Sequence, residues 1–317
     1  MPAIGKIDVT ASERHALGEV LAGLAGQYRR ADDAGFLRAL AHLGQHLPAA
    51  VRTGLLDMRY LETTAATVIG GGPDLPDPGP TPASWQTVPQ TGLIRHEMWL
   101  MLLAGQLGEP LCWSVWQDGR LINDILPVLG AEDEQTGLGS SAQLEFHVEE
   151  ALYDDRCDYL LLHCLRNDDG IATTLSSAED LDLAALDLEV LFEPRYRVGD
   201  ENGPVRPALF GSPESPYLRL DPPYMAALEG DVRGARALES LCEQLAAKAV
   251  DVVLDAGDVL VIDNFRAVHG RRPFRARYDG TDRWLRRCTT ARDLRPTRAA
   301  RDGAEGRVVD LELLMPS

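Results

Sequence analysis

The sequence predicts a mainly β fold, a barrel or a double sheet, with helices packed outside it. Two observations carry that reading. Short apolar runs recur through the middle and C-terminal parts of the chain, and turn-forming clusters bound several of them. Helical periodicity is concentrated in the first ~50 residues and in one later segment.

At the N-terminus, Leu17, Val20, Leu21 and Leu24 recur at helical spacing, and Phe36, Leu37, Leu40 and Leu43 do so again. Ser12 with Glu19 makes no clean capping box, which leaves the first helix start unplaced. Gly70–Ser84, GGGPDLPDPGPTPAS, reads as a loop, either a domain linker or an inserted surface loop. The strand candidates are Leu111–Trp116, Leu144–Val148, Tyr159–Leu165, Tyr217–Leu220, Val259–Ile262 and Trp284–Thr290. Turns are expected at Gln117–Arg120 (QDGR), Asn167–Gly170 (NDDG) and Asp255–Asp258 (DAGD). A helix at about Arg233–Lys248 interrupts the strands, with Leu238, Leu241, Leu245 and Val250 as its apolar stripe.

Composition narrows the function classes. The 317 residues are 45% hydrophobic and 25% charged, ordinary for a globular protein. No apolar run reaches the roughly 18–20 residues of a membrane-spanning helix. The N-terminus lacks the apolar stretch of a secretory signal, so the expected location is the cytoplasm. The net charge of −18 argues against nucleic acid and acidic membrane surfaces, both of which repel it. Five cysteines in no CxxC pair read as reduced, mostly buried thiols.

The chemistry-bearing segment is Leu144-Glu-Phe-His-Val-Glu-Glu150. On a strand, residues i and i+2 share a face, so His147 and Glu149 can converge on one metal. Fe(II) of the oxygenase type takes two histidines and one carboxylate and keeps its other positions open. An HxE pair alone is weak evidence. Of the seven histidines, His269 stands out as a candidate for the second imidazole: it follows the apolar run of Gly257–Asn264 across a polar turn.

With these blocks in view, the chain resembles the clavaminate synthase-like branch of the Fe(II)/2-oxoglutarate oxygenases. The likeness is strongest to its amino-acid hydroxylases, which include arginine and asparagine hydroxylases. The matching blocks are LEFHVEEAL (144–152), DYLLLHCLRNDDGIATTLSS (158–177), GDVLVIDNFRAVHGRRPF (257–274) and DRWLRR (282–287).

The resemblance implies a double-stranded β-helix (jelly-roll) core in a single oxygenase domain over 1–317, with a mostly helical 1–70 part packed on it. It implies Fe(II) on His147, Glu149 and His269, with 2-oxoglutarate and O2 as cosubstrates. Arg283 falls on the arginine that grips the far carboxylate of 2-oxoglutarate, a task suited to a planar guanidinium. Thr174, or else Thr173, falls on a threonine that bonds the same carboxylate; spacing from His147 prefers Thr174.

By the same resemblance, the substrate contacts are Gln117 (α-amino group), Arg287 (α-carboxylate) and Asp221 (a cationic side-chain end). Positions 283, 285 and 287 share a strand face. Simpler readings stand beside these: Gln117 as a turn residue, Asp221 as a cap before Pro222, Arg283 in a surface ion pair. Arginine-specific relatives carry a second acidic residue where this chain has Pro223, which leaves lysine, a modified arginine or another polar amino acid open. The implied activity is hydroxylation of a free, basic or polar L-amino acid in natural-product (antibiotic) biosynthesis. Glu149 disfavours halogenation, since related halogenases lack this carboxylate. The alternatives are a desaturase or cyclase of the same family, a non-catalytic β-barrel binding protein, and a Zn(II) hydrolase. The last lacks an HExxH helix. The oligomeric state is open.

Overall fold

The structure, a computed structural model, describes residues 4–89 and 92–313. Its strands are β1 (Ile4–Asp8), β2 (Ala66–Gly70), β3 (Glu109–Trp113), β4 (Ile122–Ile125), β5 (Leu144–His147), β6 (Tyr159–Arg166) and β7 (Thr173–Ser177). They continue with β8 (Tyr196–Val198), β9 (Val205–Arg206), β10 (Leu209–Ser212), β11 (Ser215–Leu218), β12 (Met225–Ala227) and β13 (Val250–Val252). Last come β14 (Val259–Asp263), β15 (Ala267–Arg271), β16 (Trp284–Ala291) and β17 (Val308–Val309). The helices are α1 (Ala11–Gln27), α2 (Ala34–Leu43), α3 (Ala49–Leu61), α4 (Ile94–Leu107), α5 (Leu188–Leu191) and α6 (Val232–Ala247).

Two sheets face each other. The larger runs β1-β2-β14-β6-β16-β3-β17, with β4 also on β16; the smaller runs β13-β7-β15-β5. This is the expected jelly-roll core. Alternation along β6 explains the layering: Leu160, Leu162 and Cys164 point between the sheets, with Leu260, Ile262, Leu175, Ala267 and Leu285. Tyr159 and Leu161 point outward, under α1–α4. Val268 on the smaller sheet's outer face packs against Leu238, Leu241 and Leu245 of α6. Each sheet is thus covered on both faces. A fully buried leucine contributes roughly 1.5–3 kcal/mol.

Several elements differ from expectation. The first helix is capped by Thr10 and Glu13, whose side chains bond each other's backbone N–H, and not by Ser12. The 1–70 part, expected to be mostly helical, carries α1–α3 and also two strands: β1 and β2 pair in parallel, and β2 extends the larger sheet along β14. Helix α4 gave no one-sided stripe because most of its residues are buried, against the other helices and the sheet. Val250 belongs to exposed β13, not to the α6 stripe.

Gly70–Ser84 is an anchored strap. Thr81 bonds Gly280 O and Asp282 O, Gly71 N–H donates to Asp258, and His96 Nε2 bonds Pro76 O. Among the described residues no helix is long and apolar enough to cross a membrane.

Candidate metal centre and anion pocket

The centre begins with sheet register. β5 and β15 run antiparallel with His147 directly opposite His269, so the two imidazoles stand side by side, ring centroids 4.3 Å apart. His147 Nδ1 donates to Glu145 O (2.8 Å), which leaves Nε2 free as a ligand atom.

Glu149 arrives differently from the strand argument. β5 ends at His147, and the chain turns away with Glu150 at φ +52°. The carboxylate still reaches the pair, with Glu149 Oε1 3.4 Å from His269 Nε2. One ligand atom from each of His147, Glu149 and His269 lies within 4.8 Å of the others. Two imidazole nitrogens and one carboxylate oxygen at this spacing fit Fe(II) with an open face.

Electrostatics favours the ligating form of His147 and Glu149. Burial lowers the His147 pKa, and His269 lowers it further, so the ring is held neutral. Burial alone would raise the Glu149 carboxyl, but the Arg287 guanidinium and the histidines outweigh it and hold it well below the usual range. Arg287 Nη1 donates to Glu149 Oε2 (2.9 Å) and Nη2 to Asn123 Oδ1 (3.0 Å), with its guanidinium 5.2 Å from the Trp116 ring centroid. Its Nε has no partner among the described residues.

A second set of charges lies on the same inner face. Arg283 is buried, makes no ion pair among the described residues, and donates Nη2–H to Thr173 Oγ1 (2.8 Å). Burial, then the neighbouring Arg271, pushes its pKa down to about 10, so it stays charged at neutral pH. Arg271 donates to Gly139 O (2.6 Å) and Ala142 O (3.1 Å). A buried guanidinium without an ion pair, bonded to a hydroxyl, is chemically suited to a carboxylate.

Of the two expected threonines, Thr173 meets Arg283, whereas Thr174 points to the other face of β7, paired across to Gly270 and Asp251. Strand alternation decides it: Leu175 packs between the sheets, so Thr173 does and Thr174 does not.

Gln117 is tied to its own turn. Both ends of its amide bond the Asp124 backbone (2.8 Å each), and its φ of +44° sits in the turn, so it pins β4. Asp221 makes no side-chain cap. Its carboxylate has no hydrogen bond or ion pair among the described residues. Burial, with Glu149 adding and His147 opposing, raises its pKa to about 6. Arg271, Asn123, Trp116 and Asn264 were not assigned to the site from sequence. For Arg271 a signal existed: it lies two residues after His269 on the same strand, hence on the same face.

A family profile, taurine catabolism dioxygenase TauD, TfdA family, matches residues 194–289. The L-ornithine/L-arginine 3-hydroxylase of Catenulispora acidiphila is 36% identical, over 96% of this chain and 99% of its own. The enduracididine beta-hydroxylase of Streptomyces hygroscopicus is 38% identical, over 93% of this chain and 96% of its own. The chain belongs to the TauD/TfdA family.

The crystal structure of the non-heme iron oxygenase OrfP with Fe and alpha-ketoglutaric acid superposes with a TM-score of 0.90, at 39% identity over 96% of this chain and 99% of OrfP. Like its TauD/TfdA relatives, this protein is a non-haem iron, 2-oxoglutarate-dependent dioxygenase. The triad is a set of donors that could hold a metal ion, and Arg283 with Thr173 is a buried guanidinium–hydroxyl pair.

Proposed function

We propose that this chain hydroxylates a free, basic L-amino acid, with Fe(II) on His147, Glu149 and His269 and the far carboxylate of 2-oxoglutarate on Arg283 and Thr173. The observation that carries the reading is Arg283, a buried guanidinium without a carboxylate partner among the described residues, on the face that bears the triad. A buried charge in that state calls for a ligand of opposite sign. Asp221 is the matching feature for substrate: an unpartnered carboxylate that interacts electrostatically with His147 and suits a cationic side-chain end. The relatives named above act on ornithine and arginine or on enduracididine, all cationic amino acids. Pro223 leaves Asp221 without a second acid two positions on, which supports a single-carboxylate contact in place of a two-carboxylate clamp.

When bound, iron with 2-oxoglutarate supplies the oxidising power; the protein supplies ligand geometry, orientation and exclusion of water. Arg283 and Thr173 orient the cosubstrate. Arg287 restrains the distal oxygen of Glu149 and has its Nε–H without a partner among the described residues, for a substrate carboxylate. Asp221 sets which end of the substrate lies deepest. Glu149 keeps the third protein ligand that hydroxylation requires.

The test is an incubation with Fe(II) and 2-oxoglutarate against L-arginine, L-ornithine, L-lysine and L-asparagine, read for succinate and product mass. The expected result is stoichiometric succinate with gain of one oxygen on a basic amino acid. Loss of two hydrogens would replace hydroxylation with desaturation or ring closure, and oxidation confined to asparagine would remove the role given to Asp221.

A further inference from the structure

Glu149 presents a problem that the strand pattern does not solve. His147 and His269 are held by the β5–β15 ladder, but Glu149 lies beyond the end of β5 and before a left-handed residue. No ladder fixes it. Asn264 does. Its Oδ1 accepts the Glu149 N–H (2.7 Å), and its Nδ2 donates to the Glu149 carbonyl (3.0 Å) and to the Cys157 carbonyl (2.9 Å).

One side chain thus reads both backbone groups of the residue that carries the ligand. It also closes the 149–157 loop. An amide alone offers an acceptor and two donors in that arrangement. Asn264 is fully buried, and it sits in the turn between β14 and β15, the turn that leads into His269. The amide therefore spans the two ligand-bearing segments directly.

We propose that Asn264 is a positioning residue that holds the Glu149 carboxylate in register with His147 and His269 and thereby sets the affinity for the metal. This rests on the triad being the iron site. Arg287 restrains the far oxygen of the same carboxylate, so backbone and side chain of Glu149 are fixed from opposite ends.

The structure contains its own control. Asn167 makes the same kind of three-bond clamp in the β6–β7 turn, to Ile171 O (3.1 Å), Leu254 O (3.0 Å) and Ile171 N–H (2.9 Å), with no contact to the triad. The experiment titrates Co(II), as a spectroscopic stand-in for Fe(II), into the metal-free full chain and follows visible absorption. Thermal melting of the metal-free chain is recorded in parallel.

Asn264→Ala is expected to weaken Co(II) binding by about 10- to 100-fold, as loss of an outer partner of a ligand does elsewhere, while Asn167→Ala changes it by less than about twofold. Both should lower the melting temperature. Asn264→Asp keeps the shape and the acceptor for Glu149 N–H but loses the donor, and is expected to give intermediate weakening. Wild-type affinity in a folded Asn264 variant overturns the proposal. So does equal weakening by Asn167→Ala, and so does failure of Asn264→Asp to fold, since either makes the role one of general stability. A wild-type chain that binds no Co(II) instead removes the metal reading of the triad beneath it.

Discussion

Arg283 and Arg286 stand three residues apart at the start of one strand, both buried, yet in opposite electrostatic states. Arg286 faces outward beneath α4, where Asp124 takes its Nε (3.0 Å) and Glu97 its Nη1 (2.8 Å). Burial pulls its pKa down, but the two carboxylates outweigh that and raise it. Arg283 faces inward, has Thr173 Oγ1 as its bonded partner, and is pushed down by burial and by Arg271. Arg286 carries its counter-ions within the chain. Arg283 is folded away without one among the described residues, and because a guanidinium, unlike a carboxyl, sheds its charge only with difficulty, it suits an anion brought from outside. Asp263 shows the other outcome: burial first, then Glu62, raise its pKa to about 7, and it can take up a proton instead of a partner.

The largest expected effect would break this contrast on the structural side. Arg286→Ala leaves buried Asp124 with Arg120 (3.4 Å) as its remaining cation and should cost about 3 kcal/mol of stability, a large share of a typical total. Urea unfolding measures it. In whatever fraction folds, the KM for 2-oxoglutarate should be unchanged; a raised KM would erase the division between the two arginines.

Arg283→Ala should do the reverse. The 2-oxoglutarate requirement should rise on the order of 100-fold, as expected when one partner of a desolvated charge pair is truncated, with Co(II) affinity retained. Loss of the metal would show that Arg283 supports the triad and not the cosubstrate.

Thr173→Val sharpens the assignment within the pocket. Removing one hydrogen bond to a charged group should raise the same KM by about tenfold, while Thr174→Val leaves it unmoved. Equal effects would return the two threonines to the ambiguity they have in the sequence.

The smallest effect concerns Asp263, whose folded pKa lies above its unfolded value near 4. The folded chain then holds a proton that the unfolded chain releases. The stability this group contributes is present below about pH 4 and is lost as pH rises toward about 7. Asp263→Asn, which keeps the acceptor for Phe265 N–H, should flatten that decline and add on the order of 1 kcal/mol at pH 8. A decline that persists in the variant would assign it to another group.

What the sequence determined by itself was chemistry of short range. Periodicity located most of α1, α2 and α6 and the cores of β6, β14 and β16, because a side chain's face depends only on its own backbone. The residue types at 147, 149 and 269 suited a metal, and the family resemblance of the blocks around them added iron and, at Arg283, a dicarboxylate. Helix α4 and the β1–β2 pair escaped, since a helix buried on most sides has no stripe and a parallel pair depends on residues far apart in the chain.

Only tertiary structure decided which way Thr173 and Thr174 alternate, that Gln117 is committed to Asp124, and that Arg287 holds Glu149 while Asp221 is left unpartnered. Each is a matter of which groups remain unsatisfied after folding. For Arg283, Arg287 and Glu149 that count is settled by neighbours more than a hundred residues away, as Asn264 is for Glu149, and no local pattern records it.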